Sequence, residues 1–217
     1  PIERSRHLLP QFYVDHRFSW QNLYGGLTLM IWGFFLKLVI ADRIAPYINE
    51  IYSFPEKYTG GHFVLATYLF SFQIFCDFAG YSTIAVGAAR IMGYDLMLNL
   101  QRPYLAKSIR GFWSRWHISL STWFRDYVYI PIGGNRGGLL RSSVNQMFVF
   151  VVSGLWHGAN WTYFLWGVLH GFYLVLENLC RAYVPGFGMP IDNESTKWRF
   201  FQFFRNLLNL IVTYNLV

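Results

Sequence analysis

Six histidines are the side chains of this sequence best suited to moving a proton near neutral pH, and three of them stand in unusual surroundings. His7, His16 and His62 lie in polar stretches and read as solvated. His117 closes the tryptophan-rich stretch RGFWSRWH. His157 and His170 fall in a run from Ser142 to Leu176 with no Asp, Glu, Lys or Arg across 35 residues. A ring buried in such a run needs a hydrogen-bond partner. A neutral imidazole accepts a proton, which is the work of a general base. Metal ligation fits poorly: His157 and His170 are thirteen residues apart, about 220° round a helix at 100° per residue, and no acid or cysteine accompanies them. Ser153, four residues before His157, lacks the G-x-S-x-G setting of a nucleophile elbow. The simpler chemistry is direct activation of a substrate hydroxyl or thiol by His157.

Two further groups bear on chemistry. Asp77 lies within an otherwise apolar stretch and reads either as the partner of a Lys or Arg near an interface or as part of a polar cavity wall. Cys76 and Cys180 sit in apolar contexts far apart and read as a pair of buried thiols, not as a disulfide framework. The GGNRGG stretch at 133–138 lacks the Lys-Ser/Thr ending of a phosphate loop.

The elements that must position these residues belong to a membrane. Residues are 54% hydrophobic, 21% aromatic and 13% charged, whereas soluble domains run near roughly 25% charged. The net charge of +7 is concentrated between Arg102 and Arg141, where seven Lys/Arg face one acid. Such a block marks the cytoplasmic side of a membrane protein. It does not have the exposed aromatics of a nucleic-acid-binding face, so no nucleic-acid partner is expected.

The pattern predicts an all-α, polytopic transmembrane bundle with tilted, broken and interfacial helices, and a single membrane domain over 1–217. Spans are expected near 23–41, 63–92, 144–176 and 200–217, with a basic interfacial segment at 102–141. Residues 1–22 read as a loop or interfacial segment, 46–61 as a loop and 177–197 as a polar loop. The stretch 63–92 exceeds one span, and Ala79-Gly80-Tyr81-Ser82 is the expected break. The core of the segment 102–141 reads as an amphipathic helix at the bilayer surface, or one dipping partway in, with Trp113, Trp116, Leu120 and Trp123 on one face and Gly133, Gly134, Gly137 and Gly138 ending it in a turn. The uncharged run 142–176 is too long to cross about 30 Å of hydrocarbon straight; its expected break is Gly158-Ala159-Asn160. The chain opens on Pro1 and closes inside an apolar run, so the intact protein is expected to extend in both directions.

RGFWSRWHISLSTWFRDYVYIPIGG, followed by SGLWHGANWTYFLWGVLHG, resembles the membrane-bound O-acyltransferase family over nearly the whole chain, and its bacterial polysaccharide-acetylating branch in particular. The resemblance implies that His157, in the W-H-G motif, is catalytic. It implies that His117, in W-H-I-S, is the second signature position, where many eukaryotic relatives carry Asn or Asp, and that both face one tunnel through the membrane. Trp116, Ser121, Arg125, Asp126, Trp156 and Asn160, which flank the two histidines, are the implied substrate-binding positions. The implied donor is a cytoplasmic thioester such as acetyl-CoA, used as a substrate with no resident cofactor or metal. Arg110, Arg115 and Arg125 are cations that can meet its phosphates, though lipid headgroups explain them equally well. The implied acceptor is an envelope polysaccharide such as alginate, reached through a periplasmic or extracellular partner transferase. The implied location is the bacterial inner membrane, with several passes. The bilayer and further parts of the same chain are expected partners. D-alanyl transfer to teichoic acid, a transporter or channel, and a scaffold subunit are the alternatives.

Overall fold

A computed structural model describes residues 1–184, 206 and 208–215. Most of the expected loop at 177–197 and most of the expected span at 200–217 lie outside the described residues. The described residues contain helices and turns and no strand. The chain read as one domain packs as two compact units, Pro1–Asn99 and Leu100–Val217.

The first unit begins with α1 (Ser5–Leu8) and a 3-10 turn, Leu9–Tyr13. Gln11 ties this turn to the loop that closes the unit: its amide donates to the Asp95 carbonyl at 3.0 Å and accepts from the Asp95 N–H at 2.7 Å. α2 (Trp20–Phe34) starts at Ser19, whose hydroxyl accepts the Asn22 N–H at 3.4 Å and so satisfies one of the free donors at the helix start. The helix does not stop near Ala41 as expected. It widens into a π-helical stretch, Phe35–Ala41, and continues as α3 (Asp42–Ser53) through Pro46. The loop expected to open at Pro46 is therefore absent. Pro46 falls just after the π stretch, and such local adjustments re-satisfy the backbone groups a proline frees.

α4 (Gly60–Ile91) is one continuous helix of 32 residues, so the break expected at 79–82 is absent. The reason is packing. α2 and α4 run antiparallel with glycine meeting backbone: a Cβ on Gly33 would stand 2.7 Å from the Gly80 carbonyl oxygen, and one on Gly87 would stand 2.6 Å from that of Gly26. Gly80 is small to let a neighbouring helix approach, not to bend its own. Gly80→Val is therefore expected to destabilise the protein by about 1–3 kcal/mol through overpacking. Gly61→Ala, at a site with no neighbour within 4 Å, should be near neutral. Thermal unfolding in detergent measures both, and equal effects would contradict this packing.

Trp20–Ser53 and Gly60–Ile91 are both long and apolar enough to cross a membrane. Many large side chains along them face outward, Ile31 and Tyr81 each at 69% exposure, a surface that suits hydrocarbon or further protein. Asp77 takes the first of its two readings: Lys37 from the π stretch reaches it at 2.7 Å and reaches Asp42 at 2.8 Å.

The second unit overturns the expected single surface helix over the basic segment. α5 (Ile109–Trp113) is capped by Ser108, whose hydroxyl accepts the Gly111 N–H at 2.9 Å. The chain then turns through 114–117, restarts as α6 (Ile118–Phe124), widens into a π stretch, Arg125–Tyr129, and turns again before α7 (Gly138–His157). Trp113, Trp116 and Trp123 thus do not share a helix face. Trp116 instead folds back onto Phe112 and Tyr104, with centroids 5.7 and 6.2 Å away. The expected break after His157 is present. Gly158 is extended, and Asn160 caps α8 (Trp161–Tyr183) by accepting the Thr162 N–H at 3.0 Å. α7 and α8 pack antiparallel through Gly154, Gly167 and Gly171. Both cysteines are free; Cys76 is buried and Cys180 half-buried.

Candidate active site

His157 is the last residue of α7, and His117 is the residue before α6. Forty residues apart in sequence, both line one cavity of about 240 Å³ within the second unit. Trp156 stands beside both rings, 5.0 Å from His157 and 6.5 Å from His117 between centroids. α7 carries His157 to the cavity because the helix ends at Gly158. The π stretch after α6 brings Arg125 and Tyr129 to the same wall.

His117 adopts a left-handed backbone, φ 44°. Asn, Asp and His are the side chains most at ease there apart from glycine, and β-branched residues are strained. Position 117 therefore constrains the residue through its backbone as well as through its ring. Burial first, and then the neighbouring His157, push the His117 imidazole down to about 4 from 6.5. Because the folded value is lowered, the unfolded chain binds the extra proton between those two values. The group's contribution to stability is intact above pH 6.5 and is lost as pH falls towards 4. His117→Asn is expected to keep the fold and flatten this acid limb, while His117→Val should destabilise at every pH. Unfolding temperature against pH in detergent reads both.

His157 departs from the expectation of burial: it is exposed at the cavity rim, with its ring among Trp156, Tyr163 and Trp166. No described residue hydrogen-bonds its ring, so both nitrogens are available to a substrate. The fully enclosed histidine is His170, 5% exposed, packed against Trp113 and Trp166. Its Nδ1 has no described partner, and it does not line the cavity.

Of the six expected substrate-binding positions, Trp116, Ser121 and Arg125 line the cavity. Asp126, Trp156 and Asn160 do not. Asp126 pairs with Arg125 at 2.9 Å. Trp156, at 56% exposure, flanks the histidines from outside. Asn160 is occupied as the α8 cap. Trp156 and Asp126 thus adjoin lining residues without lining the cavity themselves, and Asn160 is held by the helix cap.

Of the three cations named for the donor's phosphates, Arg110 and Arg125 line the cavity and Arg115 does not. Sequence reasoning missed the polar side chains around Arg110: Tyr129 and Gln146 also line the cavity, and Glu177 and Asn178 back them. Glu177 Oε1 accepts Arg181 at 2.8 Å and its Oε2 accepts the Arg110 backbone N–H at 3.0 Å. Asn178 accepts the Arg110 guanidinium and donates to Gln146 Oε1 at 2.6 Å. Burial raises the Tyr129 hydroxyl above its ordinary value, opposed by the Arg110 charge. The available signal was Glu177-Asn178 at the end of the uncharged run, read as the start of a loop. Apolar side chains, among them Trp113, Leu120 and Phe150, complete the walls. A proton acceptor at the rim, a second histidine and an apolar interior with one polar flank can hold a neutral ester or thioester beside a base.

Residues 1–211 match the family model described as MBOAT, membrane-bound O-acyltransferase family. The chain is 41% identical over 182 residues to the "Probable alginate O-acetylase AlgI" of Azotobacter vinelandii, covering 83% of this chain and 36% of that protein. It is 38% identical over 188 residues to the "Peptidoglycan O-acetyltransferase" of Helicobacter pylori, covering 84% and 34%. It is 30% identical over 231 residues to the "Teichoic acid D-alanyltransferase" of Bacillus subtilis, covering 100% and 55%. The chain thus spans between about a third and a little over half the length of these relatives.

Proposed function

We propose, because this chain belongs to the membrane-bound O-acyltransferase family, that within its full-length protein it moves an acetyl group from a cytoplasmic thioester such as acetyl-CoA towards a cell-envelope polysaccharide such as alginate. The observation that carries the reading is that His117 and His157 line one cavity. In this reading a neutral His157 takes the proton of an acceptor hydroxyl. The oxygen attacks the thioester carbonyl, the new C–O bond forms and the C–S bond breaks. The leaving thiolate takes the proton back from the imidazolium, so the base is restored. His117, at the cavity wall, orients the acyl carbonyl or stabilises its developing negative charge. No cofactor is needed, since the thioester supplies the acyl group and is consumed.

The setting proposed is a multi-pass protein of the bacterial inner membrane. The basic segment would face the cytoplasm, and a transferase on the outer side would receive the acyl group. Membranes holding the full-length protein, given acetyl-CoA labelled in the acetyl group, test this: label should reach an envelope polysaccharide or an acyl-carrying intermediate. Transfer of D-alanyl and not acetyl groups would move the assignment to the teichoic-acid branch. Solute flux without acyl transfer would replace it with a transporter.

A further inference from the structure

A general base works only with its ring held at one angle to the reacting group, and in hydrogen-bonded constellations a third polar side chain holds it. Among the described residues His157 has no such polar neighbour. It has rings instead. Tyr163 lies over the imidazole at 27°, with centroids 6.2 Å apart. Trp166 meets it nearly at right angles, 79° and 5.2 Å. Trp166 is backed in turn by the enclosed His170 at 4.9 Å. Offset-stacked and edge-to-face pairs are the two arrangements that aromatic rings prefer, and the imidazole has one of each. Neither Tyr163 nor Trp166 lines the cavity, although His157 does. Their contact is with the base and not with what the cavity holds.

The local sequence builds this arrangement. α7 ends at His157, Asn160 starts α8, and Tyr163 falls in the first turn of α8. Trp166 follows three residues later and so shares its face. That first turn comes close to α7 because residue 154 is glycine: a Cβ there would stand 2.3 Å from the Tyr163 carbonyl oxygen. Gly158 has a complementary part. Its backbone is extended, φ 161° and ψ 145°, a shape that does not itself demand glycine. Space does, because a Cβ on Gly158 would stand 2.8 Å from both Cδ2 and Cε2 of Tyr163. The tyrosine ring occupies the place of a side chain at 158 and extends from there over the face of His157.

We propose that Tyr163 is the positioning residue of His157, fixing the plane of the imidazole by ring stacking in place of a hydrogen bond, and that residue 158 is glycine to admit that ring. The base whose plane is fixed is the one named in the acyl-transfer reading above, on which the kinetic part rests.

The test uses the full-length protein in detergent, labelled with ¹³C-histidine, and the acetyl-transfer assay beside it. The His157 ring resonance is identified by its loss in His157→Ala. It should move in Tyr163→Leu and in Gly158→Ala and stay near its wild-type place in Tyr163→Phe, because an aromatic ring shifts the protons of a stacked neighbour and an aliphatic chain does not. Tyr163→Leu should lower kcat about 10–100-fold, the scale of a small misplacement of a catalytic group, with little change in KM for the acyl donor. Tyr163→Phe should restore most of that loss. Gly158→Ala should lower kcat in the same sense, and it serves if the leucine variant does not fold. Alanine at 158 should cost nothing further once the tyrosine ring is gone, so Gly158→Ala combined with Tyr163→Leu should match Tyr163→Leu alone. The proposal is overturned if the resonance does not move in Tyr163→Leu, if kcat is unchanged there, if Tyr163→Phe loses as much as Tyr163→Leu, or if the two losses multiply in the double variant. A resonance that moves as expected in a wild-type background without acyl transfer would leave the stack standing and sink the transfer reading.

Discussion

His157→Ala is expected to lower acyl transfer by about 10²–10⁴-fold, the range a positioned general base contributes, with little change in the protein's unfolding temperature. The stability half of this result follows from the ring's place. His157 closes α7 at the rim of the cavity, is exposed, and has no described hydrogen-bond partner to leave unsatisfied. Its contacts are edge-on and stacked aromatic ones to Trp156, Tyr163 and Trp166. The catalytic half follows from the same geometry, since a ring with both nitrogens open can take a proton from an incoming hydroxyl and return it to the thiolate. Labelled-acetyl transfer by membranes of the full-length variant, alongside its melting curve, checks both halves. Activity above about a tenth of wild type would remove His157 from the base role. His117→Asn should keep more activity than His157→Ala, because asparagine suits the left-handed backbone and still offers a hydrogen bond to the acyl oxygen.

Gly154→Val should give the largest structural effect. A Cβ at Gly154 would stand 2.3 Å from the backbone carbonyl oxygen of Tyr163 and 3.3 Å from the Gly167 Cα. The obstacle is backbone on the facing helix, which cannot swing aside as a side-chain tip can. Gly167 meets the same barrier in return, with a Cβ 2.4 Å from the Phe150 carbonyl oxygen. Inserting a branched side chain here must part α7 from α8. Overpacking costs about 1–3 kcal/mol and occasionally more, and this site belongs at the upper end because both partners are main chain. Activity should fall with stability, since α7 carries Gln146, Phe150 and His157 to the cavity wall. Gly154→Ala should show the same effect at smaller size. Melting temperature and acetyl transfer measured together test this, and a valine variant as stable as Gly61→Ala would mean that the two helices do not pack this way.

The membrane character, the helical class and the break after His157 were legible in the residues themselves. Composition and charge placement set the solvent, and local chemistry set the break: Gly158 ends one helix and Asn160 caps the next. The two histidines stood out for similar local reasons, a titratable ring in an uncharged run and another in a tryptophan-rich motif. Packing decided the remainder. Gly80 resembles a helix breaker when read along the chain, yet it is a contact point when Gly33 of a neighbouring helix is brought against it. The basic segment has helical spacing throughout, yet Trp116 stacks on Phe112 and Tyr104 and His117 turns left-handed, so the expected helix becomes two. Asp126, Trp156 and Asn160 do not line the cavity: Asp126 pairs with the lining Arg125, Trp156 stands beside the two histidine rings from outside, and Asn160 is a helix cap. Arg110 and Asn178, 68 residues apart, became partners only through the contact of α5 with α8. Periodicity and turn chemistry act within a few residues and can be read in order along the chain. The cavity is closed by contacts between residues far apart in sequence, and those depend on which helices meet and at what register.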